Sequence, residues 1–325
     1  MKIIISFFIL VQFGLAIGQS YPPAAGQEGS TAIPHDSDLF IAWASGSSIE
    51  RGLINIADPE AEDQGSNYAS YGQPESALGI ADNDVVSLGD AGTAVLTFEM
   101  PIGNGSGYDF AVFENGFSDT FLELAFVEVS SDGTNFFRFP SHSETQTDEQ
   151  VGGFDLLDPR YLNNFAGKYR AYFGTPFDLD DLEDDPLLNK NAITHIRLVD
   201  VVGSIDPQYA THDSHGNAVN DPFPTPFWSS GFDLDAVGVI NESDMSVSDV
   251  SSASIKIYPN PAKNNFFVGT KDKLELRIVD TTGRLVMQTV SENNHSIDIS
   301  QLEKGMYFVE IKIGTKKTLH KLIKK

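Results

Sequence analysis

No cysteine occurs anywhere in the 325 residues. A disulfide framework, a thiolate nucleophile and a thiolate metal site are therefore excluded. Basic residues are scarce: 21 Lys and Arg stand against 46 Asp and Glu, for a net charge of −25. Beyond the N-terminal segment, no run is long and apolar enough to span a bilayer. No G-x-S-x-G elbow is present, and no spacing singles out a Ser–His pair, so nucleophilic catalysis has no defined site. An internal repeat is also missing, which disfavours a propeller or solenoid.

The apolar content, 41%, is that of a globular protein long enough for one large domain and one small one. MKIIISFFILVQFGLAIGQS opens with Lys2, continues as an apolar run from Ile3, and ends in the small residues Ala16 and Gly18. That layout predicts a secretory signal peptide over residues 1–18, and hence an exported, soluble mature chain. The charge is unevenly placed. From Ser251 onward thirteen basic residues face seven acidic ones, a balance of +6, and the remainder carries eight against thirty-nine, a balance of −31. Such an acidic body repels nucleic acid and anionic membrane and suits divalent cations.

The polar, Ser-rich stretch from Asn241 to Ser254 reads as a linker. After it come short strand-like runs at Ile255–Tyr258, Asn265–Val268, Leu274–Asp280, Leu285–Thr289, Met306–Ile313 and Lys317–Ile323. TTGR at Thr281–Arg284 and EKG at Glu303–Gly305 supply turns. Residues 255–325 thus predict a small immunoglobulin-like β-sandwich. The motifs IYPNPAKNNFFV, LRIVDTTGRLVMQ and IDISQLEKGMYFVEIKIGTKKTLHKLIKK, in that order, closely resemble the C-terminal sorting domain of the type IX (Por) secretion system of Bacteroidetes. The resemblance implies Sec export, recognition by the type IX machinery at the outer membrane, and removal of the domain with anchoring to surface lipopolysaccharide.

The body, residues 19–240, is also β-patterned. Leu96, Phe98 and Met100 alternate with Thr97 and Glu99, and Ile196 and Leu198 alternate with His195 and Arg197. Short runs bounded by Gly, Pro, Asn or Asp argue an antiparallel sandwich, with brief helical turns only in Asp178–Asn189 and parts of Gly46–Ala61. FVEVSSDGTNFFRFP, THIRLVDVVG and SSGFDLDAVGVI follow the order seen in discoidin-like, galactose-binding-like jelly rolls. VVSLGDAGTAVLTFEMPIGNGSGYDFAVFENGF and the FDLDAVGV ending resemble a group of secreted bacterial cell surface proteins. Proteins of that sort are sometimes found beside outer-membrane uptake receptors, including those for corrinoids. The expected class is all-β: a jelly-roll-like body followed by the immunoglobulin-like module.

DFAVFENGF ends a buried strand in Glu114 and Asn115, which is costly unless something bonds them. Backbone amides of nearby loops, or a Ca²⁺ shared with an aspartate loop, are the expected partners. Oxygen ligands recur: Asp82 and Asp84 in DNDVVSLGD; Asp213, Asn217 and Asp221 in HDSHGNAVND; Asp233 and Asp235 in GFDLDAV. With Glu114 they form a donor set suited to Ca²⁺ rather than zinc, although none has EF-hand spacing. The plain alternative for each is a solvated acidic loop. His195, His212 and His215 read as surface histidines.

DPFPTPFWSSGF places Phe223, Phe227 and Trp228 among three prolines, with Tyr68 and Tyr71 available from SNYASYGQP. A stiff aromatic loop can stack a sugar or another flat ligand; the same residues can equally cap the core. The expectation is an exported cell-surface binding protein that captures an extracellular glycan or small solute, with an outer-membrane receptor as a candidate partner and a corrinoid as a lead. The rivals are a Ca²⁺-assisted glycan-active enzyme, with Glu114 paired to Asp233 or Asp235, and a structural adhesin.

Overall fold

The alternating runs of the body find partners in two antiparallel sheets. One has the strand order Ile33–Pro34, Phe173–Phe177, Phe110–Glu114, Asp233–Val239, Ala42–Trp43, with Val86–Ser87 pairing the start of Asp233–Val239. The other runs Gly46–Glu50, Thr93–Ile102, Ile193–Asp200, Ala125–Ser130, Phe137–Arg138. Their inner faces meet in one core: Phe110, Val112, Phe177, Leu234, Val237 and Val239 from the first, with Ala94, Leu96, Val127, Val129, Ile196 and Leu198 from the second. Each fully buried large side chain there contributes roughly 1.5–3 kcal/mol.

This computed structural model describes residues 21–243, 257–270, 273–291, 296–313 and 316–325. The expected signal peptide, and residues 244–254 of the expected linker, lie outside the described residues. Asn241 belongs to the body, because its backbone amide donates to Asp109 O at 3.1 Å.

Both sheets are covered on their outer faces as well. Phe126, one residue out of phase with the core, packs under loops with Leu122, Leu124, Val151, Phe165 and Val219. Phe113 and Ala236 meet Ala81, Phe40 and Trp43 on the other side. This is why Phe110–Glu114 and Ala125–Ser130 are buried at every position, as strands inside a doubly covered sheet must be. Within the Gly46–Ala61 stretch, parts of which are expected to carry brief helical turns, Gly46–Glu50 is an edge strand paired in register with Thr93–Thr97. Its alternating exposure suits a sheet edge.

Two features bring loops onto one end of the sandwich. A bulge separates Leu234, opposite Glu114, from Ala236, opposite Phe113, leaving Asp235 as the extra residue. Close backbone contact also requires glycine at two places. A Cβ on Gly52 would fall 2.0 Å from Asp90 O, and one on Gly92 would fall 2.0 Å from Leu88 O. Nothing larger fits, and Arg51, next to Gly52, donates to Ser87 O beside the start of the Asp233–Val239 strand.

The C-terminal unit has its own core of Phe266, Leu276, Ile278, Ile297, Val309, Ile311 and Leu322. One sheet orders Ile257–Tyr258, Asn265–Val268 and Ser296–Asp298; the other orders Leu285–Ser291, Leu274–Asp280, Gly305–Ile313 and Lys316–Lys324. The body and this unit are both β-sandwiches, and no α-helix occurs among the described residues.

Candidate functional site

Where Phe110–Glu114 and Asp233–Val239 run side by side, acidic side chains from four segments collect. Glu114 is 1% exposed; Oε2 accepts the Gly116 amide at 2.7 Å, while Oε1 has no hydrogen-bond partner among the described residues. Asp221 is buried; Oδ2 accepts the Leu124 amide at 3.0 Å, and Oδ1 likewise has no partner. Asp233 is buried, accepting the Ser87 hydroxyl and a bond from the Asn115 side chain. Glu123, between buried Leu122 and Leu124, keeps some surface but stands in the field of Asp233, Glu114, Asp221 and Asp200.

Burial, then the charge of Asp233 and more weakly that of Asp221, pushes Glu114 well above the usual carboxylate range. Asp221 is pushed up by burial against its single backbone bond. Burial raises Asp233 to about 7, opposed by Ser87, Asn115 and the charge of Arg51. The Arg51 guanidinium itself donates to the carbonyls of Tyr71, Ser87 and Gly72 at 2.7–2.8 Å. Asp200 is also pushed well above the usual carboxylate range, by burial and then by the charge of Asp90, although both its oxygens accept amides, from Phe232 and Ala91.

Between Asp221 and Asp233 runs the aromatic loop. Phe223 is buried at its base, and Phe227 is 38% exposed with its ring 5.4 Å from that of Phe154, itself 73% exposed. Trp228 is half-buried and meets Tyr71 edge-on at 4.8 Å. Its amide donates to Asp63 Oδ2 at 2.9 Å, and its carbonyl accepts the amides of Ser70 and Tyr71. The Ser230 hydroxyl reaches Thr225 and the carbonyl of Ile54. Tyr68 is exposed in the neighbouring segment. The loop is therefore pinned along its backbone while the Phe227 ring faces water beside Phe154 of another segment.

The other acids singled out in the sequence lie apart from this cluster. Asp213 Oδ1 accepts the amides of His215 and Asn217, and Oδ2 accepts the Ser143 amide and the Asn217 side chain. His142, Asp213 and His215 bring ligand atoms within 4.8 Å of one another. However, the oxygens of Asp213 are occupied by its own loop and by the Ser143 amide, and His142 Nδ1 is bonded to the Tyr21 hydroxyl at 2.6 Å. The bulge gives Asp235 a separate place, where Oδ1 accepts the amides of Asp82 and Asn83. Burial raises Asp235 to about 6. Asp82 and Asp84 are exposed, bonded to the Asp84 amide and the Ser76 hydroxyl respectively.

Glu123, Asp200, Arg51 and Ser87 were not singled out from the sequence. The available signal was a lone acid inside an apolar run, as in FLELAF and RLVDVV. Such an acid is rarely left buried without a reason.

Residues 256–325 match the family model of the secretion system C-terminal sorting domain. The protein is exported by type IX secretion and attached to the cell surface. The sorting domain implies interaction with the type IX machinery. No curated protein matches the chain. Among solved structures, the β-glucuronidase from Ruminococcus gnavus in complex with uronic isofagomine aligns at 10% identity and a TM-score of 0.21, over 86% of this chain and 43% of that one. The same enzyme in complex with D-glucuronic acid aligns at 10% identity and a TM-score of 0.22, over 89% and 46%. The chain spans less than half the length of these enzymes, and superposition this slight carries no argument about fold or activity.

Proposed function

We propose that the body is an extracellular binding module, displayed at the cell surface by its sorting domain, which takes a glycan or small solute on the Phe223–Trp228 loop. The observation that carries this reading is the pinned loop itself, with Phe227 and Phe154 paired in water beside half-buried Trp228. A backbone already held by Asp63, Ser70 and Tyr71 loses little entropy when a ligand stacks on it. The captured solute would pass to an outer-membrane receptor. The glycosidase alternative is disfavoured by the burial of Glu114, which at 1% exposure cannot reach a glycosidic oxygen without the loops opening.

The test is ligand titration of the mature protein in a Trp43→Phe background, so that Trp228 alone reports. Neutral and acidic oligosaccharides form one panel and cobalamin and its analogues another. A saturable fluorescence change, abolished by Trp228→Ala and weakened by Phe227→Ala, is expected. Since Trp228 is half-buried, its truncation should cost less than the ~3–5 kcal/mol of a core tryptophan. Silence across both panels, with self-association or cell binding intact, would favour the adhesin reading.

A further inference from the structure

Two segments remote in the chain meet at a pair of imidazoles. His142 lies on the short strand His142–Ser143, which pairs with Leu162–Asn163, and His215 lies in the tight loop closed by the Asp213 amide on Asn217 O. The two rings stand 4.1 Å apart between centroids. One nitrogen of each ring and one oxygen of Asp213 lie within 4.8 Å of one another, and among the described residues no other set of His, Asp and Glu is gathered so closely. The approach is built into the backbone. The Ser214 amide donates to Ser141 O at 3.0 Å, and the Ser141 amide donates to Ser214 Oγ at 2.9 Å, so strand and loop are tied one residue away from each histidine. The Ser143 amide adds a third tie, to Asp213 Oδ2 at 3.0 Å.

We propose that His142, Asp213 and His215 bind one Zn²⁺, with water completing the coordination. Two imidazole nitrogens and a carboxylate oxygen suit zinc, whereas Ca²⁺ and Mg²⁺ take oxygen ligands. The Tyr21 hydroxyl meets His142 Nδ1 at 2.6 Å. That contact leaves Nε2 for the metal and orients the ring, as outer partners of ligating histidines do. Asp213 already accepts four hydrogen bonds. Three come from the backbone amides of Ser143, His215 and Asn217, and these hold the loop in place. The fourth, from the Asn217 side chain to Oδ2, is the longest at 3.2 Å, and Asn217 is exposed. Zinc takes that position on Oδ2 while the Asn217 amide turns to water. His142 is half-buried and His215 exposed, so the ion enters directly from solvent. In a chain without cysteine, the metal is a cross-link between two loop-rich segments that no disulfide can join. No residue of the aromatic loop takes part, so the site stands whether or not that loop holds a ligand.

The test uses the full mature chain without a purification tag, stripped with EDTA and dialysed. Zinc is titrated calorimetrically, and thermal unfolding is followed with ZnCl₂, CaCl₂ and MgCl₂ at matched ionic strength. One Zn²⁺ per chain and a melting temperature raised by ZnCl₂ alone are expected. Both effects should fade at about pH 5, where protonated imidazoles no longer ligate. His215→Ala, at an exposed position, should weaken zinc binding at least about tenfold, and His142→Ala should do the same. Asn217→Ala removes the competing amide and should leave zinc binding as tight or tighter. His212→Ala, altering an exposed histidine of the same segment, should leave it unchanged. Absence of zinc uptake, undiminished binding by both ligand variants, or an equal loss in His212→Ala would overturn the proposal.

Discussion

Asp200 Oδ1 accepts the amide of Phe232 at 2.7 Å, joining the end of the second sheet's central strand to the start of the Asp233–Val239 strand. Its other oxygen takes the Ala91 amide at 3.0 Å. Here a buried carboxylate is fully used as an acceptor. Asp200→Asn should therefore destabilise the body by roughly 2–4 kcal/mol, because the new amide turns a donor toward an existing N–H. Urea unfolding should show Asp200→Asn lowering the midpoint. A stabilised Asp200→Asn would mean that charge, and not bonding, dominates there.

The raised carboxyl groups set the pH dependence. Asp233 is raised to about 7, and Asp90 and Asp235 to about 6, mainly by burial. In the unfolded chain they titrate near 4. Between those values the folded state holds protons that the unfolded state has released, so stability falls as pH rises. The cost is absent below about pH 4 and complete above about pH 7. The melting temperature should decline from about pH 5 to pH 8. Below that window, carboxyls held low contribute oppositely. Asp213 is lowered by bonds from Ser143, Asn217 and His215 that outweigh its burial, and Asp158 chiefly by Arg160. Both lose their contribution as pH falls through their folded values. A flat calorimetric profile between about pH 5 and 8 would contradict the burial of these carboxyls.

Glu128 sits between two arginines on the second sheet. Oε1 accepts Arg138 and Oε2 accepts Arg197, while Arg138 lies 4.2 Å above the Phe126 ring and Arg197 4.0 Å above that of Phe136. Glu128 is 5% exposed, but both arginines reach water, so the ion pairs are partly screened. Glu128→Gln should cost about 2–3 kcal/mol. Arg138→Met should cost less, since Arg197 still satisfies the carboxylate. Equal losses in chemical denaturation would show that the two arginines act as one unit.

Removal of residues 256–325 should leave a folded body that fails to reach the cell surface. That unit has its own core and the body has another, and the match to the sorting domain covers those residues. Circular dichroism of the purified body, together with protease shaving of intact cells, checks both halves. Undiminished surface display of the truncated protein would show that sorting lies elsewhere.

Much of the fold is written in alternation that a single chain displays. Leu96, Ile196 and Leu198 reach the core as their period-two runs require. The Asn265–Val268 and Leu274–Asp280 strands fall where the sorting-domain runs place them. Gly46–Glu50 carries too few apolar residues to announce an edge strand, and its pairing with Thr93–Thr97 supplies what local pattern does not. The site was less legible for a different reason. Asp213 and Asn217 look like ligands because they cluster in sequence, yet they satisfy one another locally. Glu114 and Asp233 are far apart along the chain, and only the sheet register, which sets Glu114 opposite Leu234, brings them to one strand end. The bulge at Asp235 also divides a pair that strict alternation would keep at a single site.

The backbone contact at Gly52 and Gly92 bears on how this protein would respond to random mutation. Any side chain at Gly52 collides with Asp90 O, and any at Gly92 with Leu88 O, so neither position has a permissible substitute. Phe227 and Phe154, standing in water, can change with little loss of folding. A saturation library sorted for surface display alone would therefore mark the glycines as intolerant and pass over the aromatic pair. Only a second sort, for ligand capture, would make the exposed rings visible.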